Sequence, residues 1–425
     1  MSHYFYKCSN CNKEYPAYLI EKELIYLCPG CGKAEKNQPL KGVLLIRYDY
    51  SRLQRDTFRV RLLNSSPGKI WNFPEILPLE FDYSRNKFPL IDENRLESVS
   101  LNSSPVIQLN YKNFNLFAFD DTRNPTFSYK DRASILVALK AIQLGIKNIS
   151  AASTGNAGSS IAGICARFGL QSRIFVPKTI PESKRIQIQS YGANLFVVDG
   201  TYDDAFDLCL EVSTKNKWFN RNTAYNPLTI EGKKSGAYDI FISFKGNVPD
   251  NIFVPVGDGV IIGGLYKGFL ELFELNLIER LPKLIAVQSS TSNAVVRFYK
   301  SKKFELQPAQ TIADSICAAS PRNLFMAEEA ISKSNGFAID VCDEEILSAQ
   351  KVVIQEYGIF VEPSSASAFA GFKKAIDEGF IEEKEKNLLM FTGNGLKDLN
   401  SLKLWNKPPV IKKYEELLNE LVENK

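Results

Sequence analysis

The chain has 425 residues, of which 44% are hydrophobic and 24% charged, and its formal net charge is +4. At roughly 150 residues per domain, this length suits about three domains with well-developed cores. The even charge balance excludes a protein that works by covering a polyanion. A single histidine, His3, at a terminus that we expect to be mobile, excludes sites built on imidazole. Lysine, carboxylates, hydroxyls, backbone amides or a cofactor must therefore carry any catalysis.

Two Cys-x-x-C pairs lie near the N-terminus, Cys8 with Cys11 and Cys28 with Cys31. This spacing is typical of a zinc ribbon with four thiolate ligands, and the tyrosines and β-formers in residues 12–27 predict a short hairpin between the pairs. A redox pair or two disulfides are the alternatives, but a redox site does not need a second copy. Since four cysteine ligands leave no open position on the metal, we predict a structural Zn²⁺.

The other cysteines show no spacing of a disulfide framework and follow apolar patterns, so we predict that they are small core residues: Cys165, Cys209, Cys317 and Cys342. The N-terminus lacks an apolar stretch of signal-peptide length, and no segment reaches the length of a membrane span. These features favour a cytoplasmic protein.

Helix and strand patterns alternate over residues 119–245, after a region with a strand at 43–48 and proline-rich connections. Apolar periodicity and glycine stops predict a βαβα order, which implies a parallel sheet covered on both faces. The predicted helices are 134–144, 159–168, 181–190 and 202–215, and the predicted strands are 148–152, 173–176 and 195–198.

A second unit of the same kind follows, with strands at 251–256, 284–287 and 388–391 and helices at 344–356 and 364–375. We therefore predict an α/β fold with two open, mostly parallel sheets that have helices on both faces and a ligand crevice between them. The predicted domains are a zinc ribbon (1–40), a large α/β domain (41–118 and 246–405), a small α/β domain (119–245) and a C-terminal helical tail (406–425).

A lysine opens a helix within the segment Asn124-Pro-Thr-Phe-Ser-Tyr-Lys-Asp-Arg132. A solvated surface lysine is the common alternative. However, Phe127 and Tyr129 would desolvate Lys130, and the helix start would add positive partial charge, so that both effects disfavour the ammonium form. A lysine in this position is suited to form a Schiff base.

Three glycine-containing loops each follow a predicted strand. Ser153-Thr-Gly-Asn-Ala-Gly158 and Val256-Gly-Asp-Gly-Val-Ile-Ile-Gly-Gly264 each precede a helix, where free amides bind anions. In Phe391-Thr-Gly-Asn-Gly-Leu-Lys-Asp398, the Thr392 hydroxyl can meet a ligand ring. Each loop alone is equally compatible with ordinary capped turns. Together with Lys130 they indicate a site for pyridoxal 5′-phosphate (PLP), which needs a Schiff-base lysine, a phosphate cradle and a partner for its pyridine nitrogen.

These motifs resemble those of threonine synthases, members of the tryptophan-synthase-β-like PLP enzymes of fold type II. Ser128-Tyr-Lys-Asp-Arg132 is similar to S-F-K-D-R, residues 153–158 to S-[ST]-G-N-[AT]-G, and residues 392–398 to T-G-[HN]-G-L-K-D. The segments 220–234 and 361–366 also resemble family stretches. Departures are Phe127 and Ala133 in place of glycines, and residues 102–106 in place of E-G-x-T-P-L.

The resemblance implies that Lys130 is the catalytic, cofactor-bearing lysine, with Asn156 near the 3-oxygen and Thr392 near the pyridine nitrogen. The phosphate cradle would be Gly257, Asp258, Gly259, Val260 and Ile261, where Asp258 fits beside a dianion only if its carboxylate turns away. The implied substrate residues are Ser153, Thr154, Lys184, Arg221 and Asn226.

The implied reaction converts O-phospho-L-homoserine and water to L-threonine and phosphate. The resemblance also implies a homodimer, and we expect no binding to nucleic acid or membrane. A sister PLP enzyme acting on O-phosphoserine, serine or a related amino acid is the first alternative. The second is a non-enzymatic zinc-ribbon binding protein with an inactive α/β body.

Overall fold

The computed structural model describes residues 3–51, 53–153 and 155–423. Its strands form three sheets, one of three, one of six and one of four strands. The strands are β1 (Tyr4–Cys8), β2 (Glu14–Pro16), β3 (Leu44–Tyr48), β4 (Val106–Tyr111), β5 (Phe114–Asp120), β6 (Asn148–Ala152), β7 (Gln171–Pro177), β8 (Asn194–Val198), β9 (Phe219–Asn220), β10 (Asn251–Pro255), β11 (Lys283–Ser289), β12 (Ala338–Val341) and β13 (Lys386–Phe391).

Several α-helices cover the faces of the two larger sheets, whereas the first helix packs on the small one. The α-helices of the described residues are α1 (Ala17–Lys22), α2 (Arg55–Leu63), α3 (Glu93–Ser98), α4 (Lys130–Gln143), α5 (Asn156–Phe168), α6 (Glu182–Ser190), α7 (Tyr202–Asn216), α8 (Leu228–Ser243), α9 (Val260–Glu274), α10 (Ala294–Ser301), α11 (Leu324–Lys333), α12 (Asp343–Tyr357), α13 (Pro363–Asp377), α14 (Leu399–Lys403) and α15 (Tyr414–Glu423).

The six-stranded sheet has the order β12-β11-β10-β13-β5-β4, and only β4 runs antiparallel to its neighbour. Its central strand β10 is buried along its whole length, as expected for a parallel strand covered on both faces. The second sheet is fully parallel, with the order β8-β7-β6-β9. The carboxyl ends of β6, β10 and β13 lead into the three glycine loops singled out in the sequence.

The N-terminal region differs in two ways from the sequence prediction. The residues between the two cysteine pairs form β2 and helix α1 rather than a hairpin. Strand β3 pairs with β1, so the small sheet continues to Tyr48, beyond the predicted boundary at residue 40. Both features depend on pairing with residues outside the cysteine motif, which its spacing alone does not reveal.

Three single-residue predictions also need correction. Cys317 is exposed and Cys342 is only partly buried, whereas Cys165 and Cys209 are buried as predicted. His3 is packed rather than loose, with its Nε2 atom 2.9 Å from the carbonyl oxygen of Leu77. None of the helices in the described part of the chain has the length and apolar character needed to cross a bilayer.

Candidate active site

A cavity of about 620 Å³ opens where the carboxyl ends of the two parallel sheets meet. Most of the residues predicted to bind cofactor or substrate line it together, although they are scattered along the sequence. They are Lys130, Ser153, Asn156, Lys184, Gly257, Asp258, Gly259, Val260, Ile261 and Thr392.

Lys130 is the first residue of α4. The loop before it is tied to the loop after β13, because the Tyr129 amide donates to the Thr392 carbonyl oxygen at 2.9 Å. Burial and the positive charge of Arg221 lower the pKa of Lys130 to about 8. A substantial fraction of the amine is therefore neutral near physiological pH, which a nucleophilic lysine requires.

The two residues after Lys130 anchor the first turn of α4. The Asp131 carboxylate accepts from the backbone amide of Thr126 at 2.7 Å and from the Ser160 hydroxyl at 2.7 Å. The Arg132 guanidinium is fully buried between Asp121 and Asp239, with contacts of 2.6 Å to each. The Lys-Asp-Arg sequence thus combines one reactive side chain with two that fix its position.

The aromatic residues before Lys130 do not shield it in the expected way. The buried Tyr129 hydroxyl donates to the Lys233 carbonyl oxygen at 2.7 Å, and the Phe127 side chain is 40% exposed. Phe127 has a φ of +69°, a conformation that favours glycine. This explains why the similar family usually has glycine here, and it means that the cavity walls, not Phe127, desolvate Lys130.

Asn156 opens α5 and faces a buried carboxylate. Its Nδ2 atom donates to Glu362 Oε1 at 2.9 Å, whereas its Oδ1 atom has no hydrogen-bond partner among the described residues. Burial raises the pKa of Glu362. Sequence reasoning noted the stretch around Glu362 but did not place it in the site. The signal in the sequence was the position of Glu362, a charged residue between Val361, which is buried, and Pro363, which opens α13.

The loop after β10 forms a cradle for an anion. Gly259 has a φ of +86°, and a Cβ there would lie 2.8 Å from the Ala327 Cβ, so only glycine fits. The first amides of α9 follow directly and have no partners within the helix. Asp258 turns its carboxylate away to accept from the Arg322 amide at 3.2 Å, as the sequence analysis required.

Thr392 follows β13, and its amide donates to the Ser365 hydroxyl at 3.0 Å. Ser153 holds the turn before α5, because its hydroxyl accepts from the Gly155 amide at 3.1 Å. Both residues line the cavity, one after a strand of the four-stranded sheet and the other after a strand of the six-stranded sheet. Hydroxyl groups are therefore available to a ligand from both sheets.

The structure does not bring every predicted substrate residue to the cavity. Arg221 is fully buried and bonds to the Thr223 hydroxyl at 2.7 Å, and Asn226 bonds to the Asn220 carbonyl oxygen at 2.6 Å. Neither lines the cavity, and Thr154 lies outside the described residues. Asn102, in the departing segment 102–106, bonds to the Asp120 carbonyl oxygen at 2.9 Å and also lies away from the cavity.

These residues fit PLP. The cavity offers an amine with a lowered pKa, a cradle that tolerates no side chain at Gly259, a threonine in its lining and a buried amide oxygen that has no partner among the described residues. Lys130 would hold the aldehyde, the amides of residues 257–261 the phosphate, and Asn156 and Thr392 the edges of the ring.

Comparison with known proteins supports this assignment. A family model described as pyridoxal-phosphate dependent enzyme matches residues 100–393. The chain is 33% identical to threonine synthase of Methanocaldococcus jannaschii over 401 residues, which cover 92% of each chain. It is 32% identical to threonine synthase of Methanosarcina acetivorans over 403 residues, or 93% of this chain and 92% of the relative.

The fold also resembles that of threonine deaminase isoform 2 from Solanum lycopersicum, with a TM-score of 0.60 over 81% of this chain and 91% of that one. At 20% identity this likeness concerns the fold alone. The chain belongs to the pyridoxal-phosphate-dependent enzymes. Within them it is a threonine synthase-like lyase of fold type II.

The four N-terminal cysteines form a separate cluster. The sulfur atoms of Cys8, Cys11, Cys28 and Cys31 all lie within 4.8 Å of one another. Cys8 is the last residue of β1 and Cys11 follows it before β2, whereas Cys28 and Cys31 lie in the segment between α1 and β3. Four thiol groups at this separation match the donor set of a tetrahedral zinc site.

Proposed function

We propose that this protein is a threonine synthase, which converts O-phospho-L-homoserine and water to L-threonine and inorganic phosphate. The observation that carries the proposal is the likeness to threonine synthases over nearly the whole length of both chains. The cavity supports it, since a lysine with a lowered pKa and additional buried cations face one space. Cations are needed there because the substrate and the leaving group are phosphates.

When bound, PLP supplies an electron sink that stabilises negative charge at the substrate carbons. Lys130 would move protons between these carbons as a neutral amine, for which a pKa of about 8 is well suited. Thr392 would bond to the ring nitrogen through a hydroxyl, which does not hold that nitrogen protonated as a carboxylate would. This arrangement favours elimination and replacement over transamination.

Lys184 is the strongest candidate for the phosphate of the substrate. Its side chain is 1% exposed, and its ammonium lies 2.5 Å from Oδ2 of Asp314, which also lines the cavity. A phosphate dianion entering the cavity would compete with Asp314 for this ammonium. Ser153 also lines the cavity, and Thr154 stays a proposal from the sequence, whereas Arg221 and Asn226 do not line the cavity.

The test is a direct assay of the purified, PLP-loaded protein. O-phospho-L-homoserine, O-phospho-L-serine, L-serine and L-threonine are offered separately, and phosphate release and product mass are measured. Release of phosphate with formation of threonine from the first substrate alone supports the proposal. Activity on phosphoserine or serine without reaction of phosphohomoserine would instead identify a sister enzyme.

We also propose that the four-cysteine cluster binds one structural Zn²⁺ and that the enzyme acts in the cytoplasm as a homodimer. The thiol geometry supports the zinc site. Metal analysis of protein purified without chelator should give one zinc per chain, and light scattering should give twice the chain mass of 47.8 kDa. A metal-free protein of full stability would contradict the zinc proposal.

A further inference from the structure

Lys233 is a buried lysine without a partner. It lies on α8, its side chain is fully buried, and its Nζ atom has no hydrogen-bond partner among the described residues. It lines the same cavity as Lys130 and the loop 257–261. In the sequence, Lys233 belongs to the segment 220–234, which resembles a family stretch.

The charges around Lys233 do not compensate it. The cations that act on it most strongly are Lys130 and Arg221, and Asp258 is the acidic group that acts on it. The Asp258 carboxylate is already turned to the Arg322 amide. Burial and the two cations lower the pKa of Lys233 well below its usual value. An isolated buried ammonium is costly, so the amine is disfavoured in its charged form until an anion enters the cavity and stabilises that form.

The position of Lys233 points to the start of α9. A Cβ on Gly264 would lie 2.7 Å from the Lys233 Cβ, so the two helices touch at this point. Gly264 is about one helical turn from Val260, the first residue of α9. The Lys233 side chain therefore leaves α8 beside the turn whose free amides form the anion cradle.

We propose that the Lys233 ammonium is a ligand for a phosphate dianion bound at the N-terminus of α9. Two phosphate esters have this chemistry, the cofactor and, if the proposed function holds, the substrate. In either case Lys233 adds a full positive charge to the partial charges of the helix amides, and the phosphate supplies the partner that the lysine lacks.

The experiment compares the wild-type chain with Lys233→Met, which removes charge and donor, and Lys233→Gln, which keeps a neutral donor. Lys351→Gln, an exposed position on α12, controls for a change in net charge. Affinities of the apoprotein for PLP and for pyridoxal, which lacks the phosphate, are measured by absorbance titration. Binding of inorganic phosphate to the PLP-loaded protein is measured by calorimetry.

Contact with the cofactor phosphate predicts that Lys233→Met weakens PLP by roughly 10- to 100-fold and leaves pyridoxal unchanged, with Lys233→Gln in between. Contact with the substrate phosphate predicts unchanged PLP affinity and a similar loss for inorganic phosphate. If Lys233→Met changes neither, the proposal is wrong. These arms measure binding alone, so they remain decisive even if O-phospho-L-homoserine is not a substrate.

Discussion

Two groups of buried charges lie close together in this protein, and they are built differently. In the paired cluster, defined by Glu231, Lys234, Lys267 and Glu271, every ammonium contacts two carboxylates, with Lys234 at 2.8 and 3.0 Å. In the open cluster, which lines the cavity around Lys130, neither the Lys233 ammonium nitrogen nor the Asn156 amide oxygen has a hydrogen-bond partner within the part of the chain that the structure describes. Charges that stabilise the fold are paired within the chain, whereas those left open mark a ligand site.

The paired cluster joins the N-terminal sheet to the two helices that flank the cavity. The Tyr48 hydroxyl on β3 donates to Glu231 Oε2 at 2.6 Å, and the Lys234 ammonium lies 4.1 Å from the centre of the Tyr48 ring. Lys233 and Lys234 are therefore adjacent in sequence but belong to different clusters. This pair of neighbours offers a direct way to test the comparison.

The largest effect is expected in the open cluster for Lys130→Ala. Removing the amine should lower the rate of phosphate release by roughly 10³-fold or more, because both cofactor attachment and proton transfer depend on it. Phosphate release under saturating PLP measures the loss. Thermal denaturation serves as control and should show a folded variant. A rate of phosphate release within tenfold of wild type would show that catalysis does not require Lys130.

The two neighbouring lysines should respond in opposite ways to the same substitution. Lys234→Met leaves Glu231 and Glu271 with one cation fewer and should lower the free energy of unfolding by about 3–5 kcal/mol. Lys233→Met removes a buried amine that has no hydrogen-bond partner among the described residues, and it should leave the stability of the apoprotein unchanged or higher. Urea denaturation of both apoproteins measures this, and equal destabilisation would contradict the distinction between the clusters.

The lowered pKa of Lys130 predicts a particular pH dependence. Only the neutral amine attacks the PLP aldehyde, so the rate of cofactor attachment to the apoprotein should fall as the pH drops through about 8. Between pH 9 and 10 it should be nearly constant, whereas a lysine of usual pKa would still gain reactivity there. Stopped-flow absorbance follows the reaction, with free N-α-acetyl-lysine as the control amine.

The smallest effect concerns Phe127 at the edge of the open cluster. Its φ of +69° costs about 1–2 kcal/mol in a residue with a side chain, and its ring is partly exposed. Phe127→Gly should therefore raise the free energy of unfolding by about 1 kcal/mol at most, after the greater backbone entropy of glycine is deducted. A clear loss of stability would show that the ring makes a necessary contact.

Much of the fold was predictable because glycine stops and apolar periodicity determine local structure. Strand β6 lies where the sequence placed it, and α4 and α5 differ only in beginning earlier, at Lys130 and Asn156. The first turn of α4 contains charged residues and that of α5 contains small ones, so neither shows the apolar periodicity of a helix, yet each of these turns contributes to the cavity lining. The α/β class and PLP family predicted from the motifs are confirmed.

The parts that sequence reasoning missed depend on distant partners. Glu362 enters the site through a contact with Asn156, which lies far away in the sequence, and no local pattern distinguishes the unpartnered Lys233 among the described residues from the paired Lys234. The same holds for Arg221, whose charge in a family-like segment suggested a substrate contact but which is enclosed beside the cavity. Spacing identifies candidates, and packing decides which of them reach the ligand.

The most direct test of the account is to locate the cofactor on the chain. PLP-loaded protein is reduced with borohydride, digested and analysed by peptide mass spectrometry. We predict one modified peptide, with the label on Lys130. A label on another buried lysine of this region, such as Lys184, Lys233 or Lys397, or no label at all, would contradict the assignment of the active site.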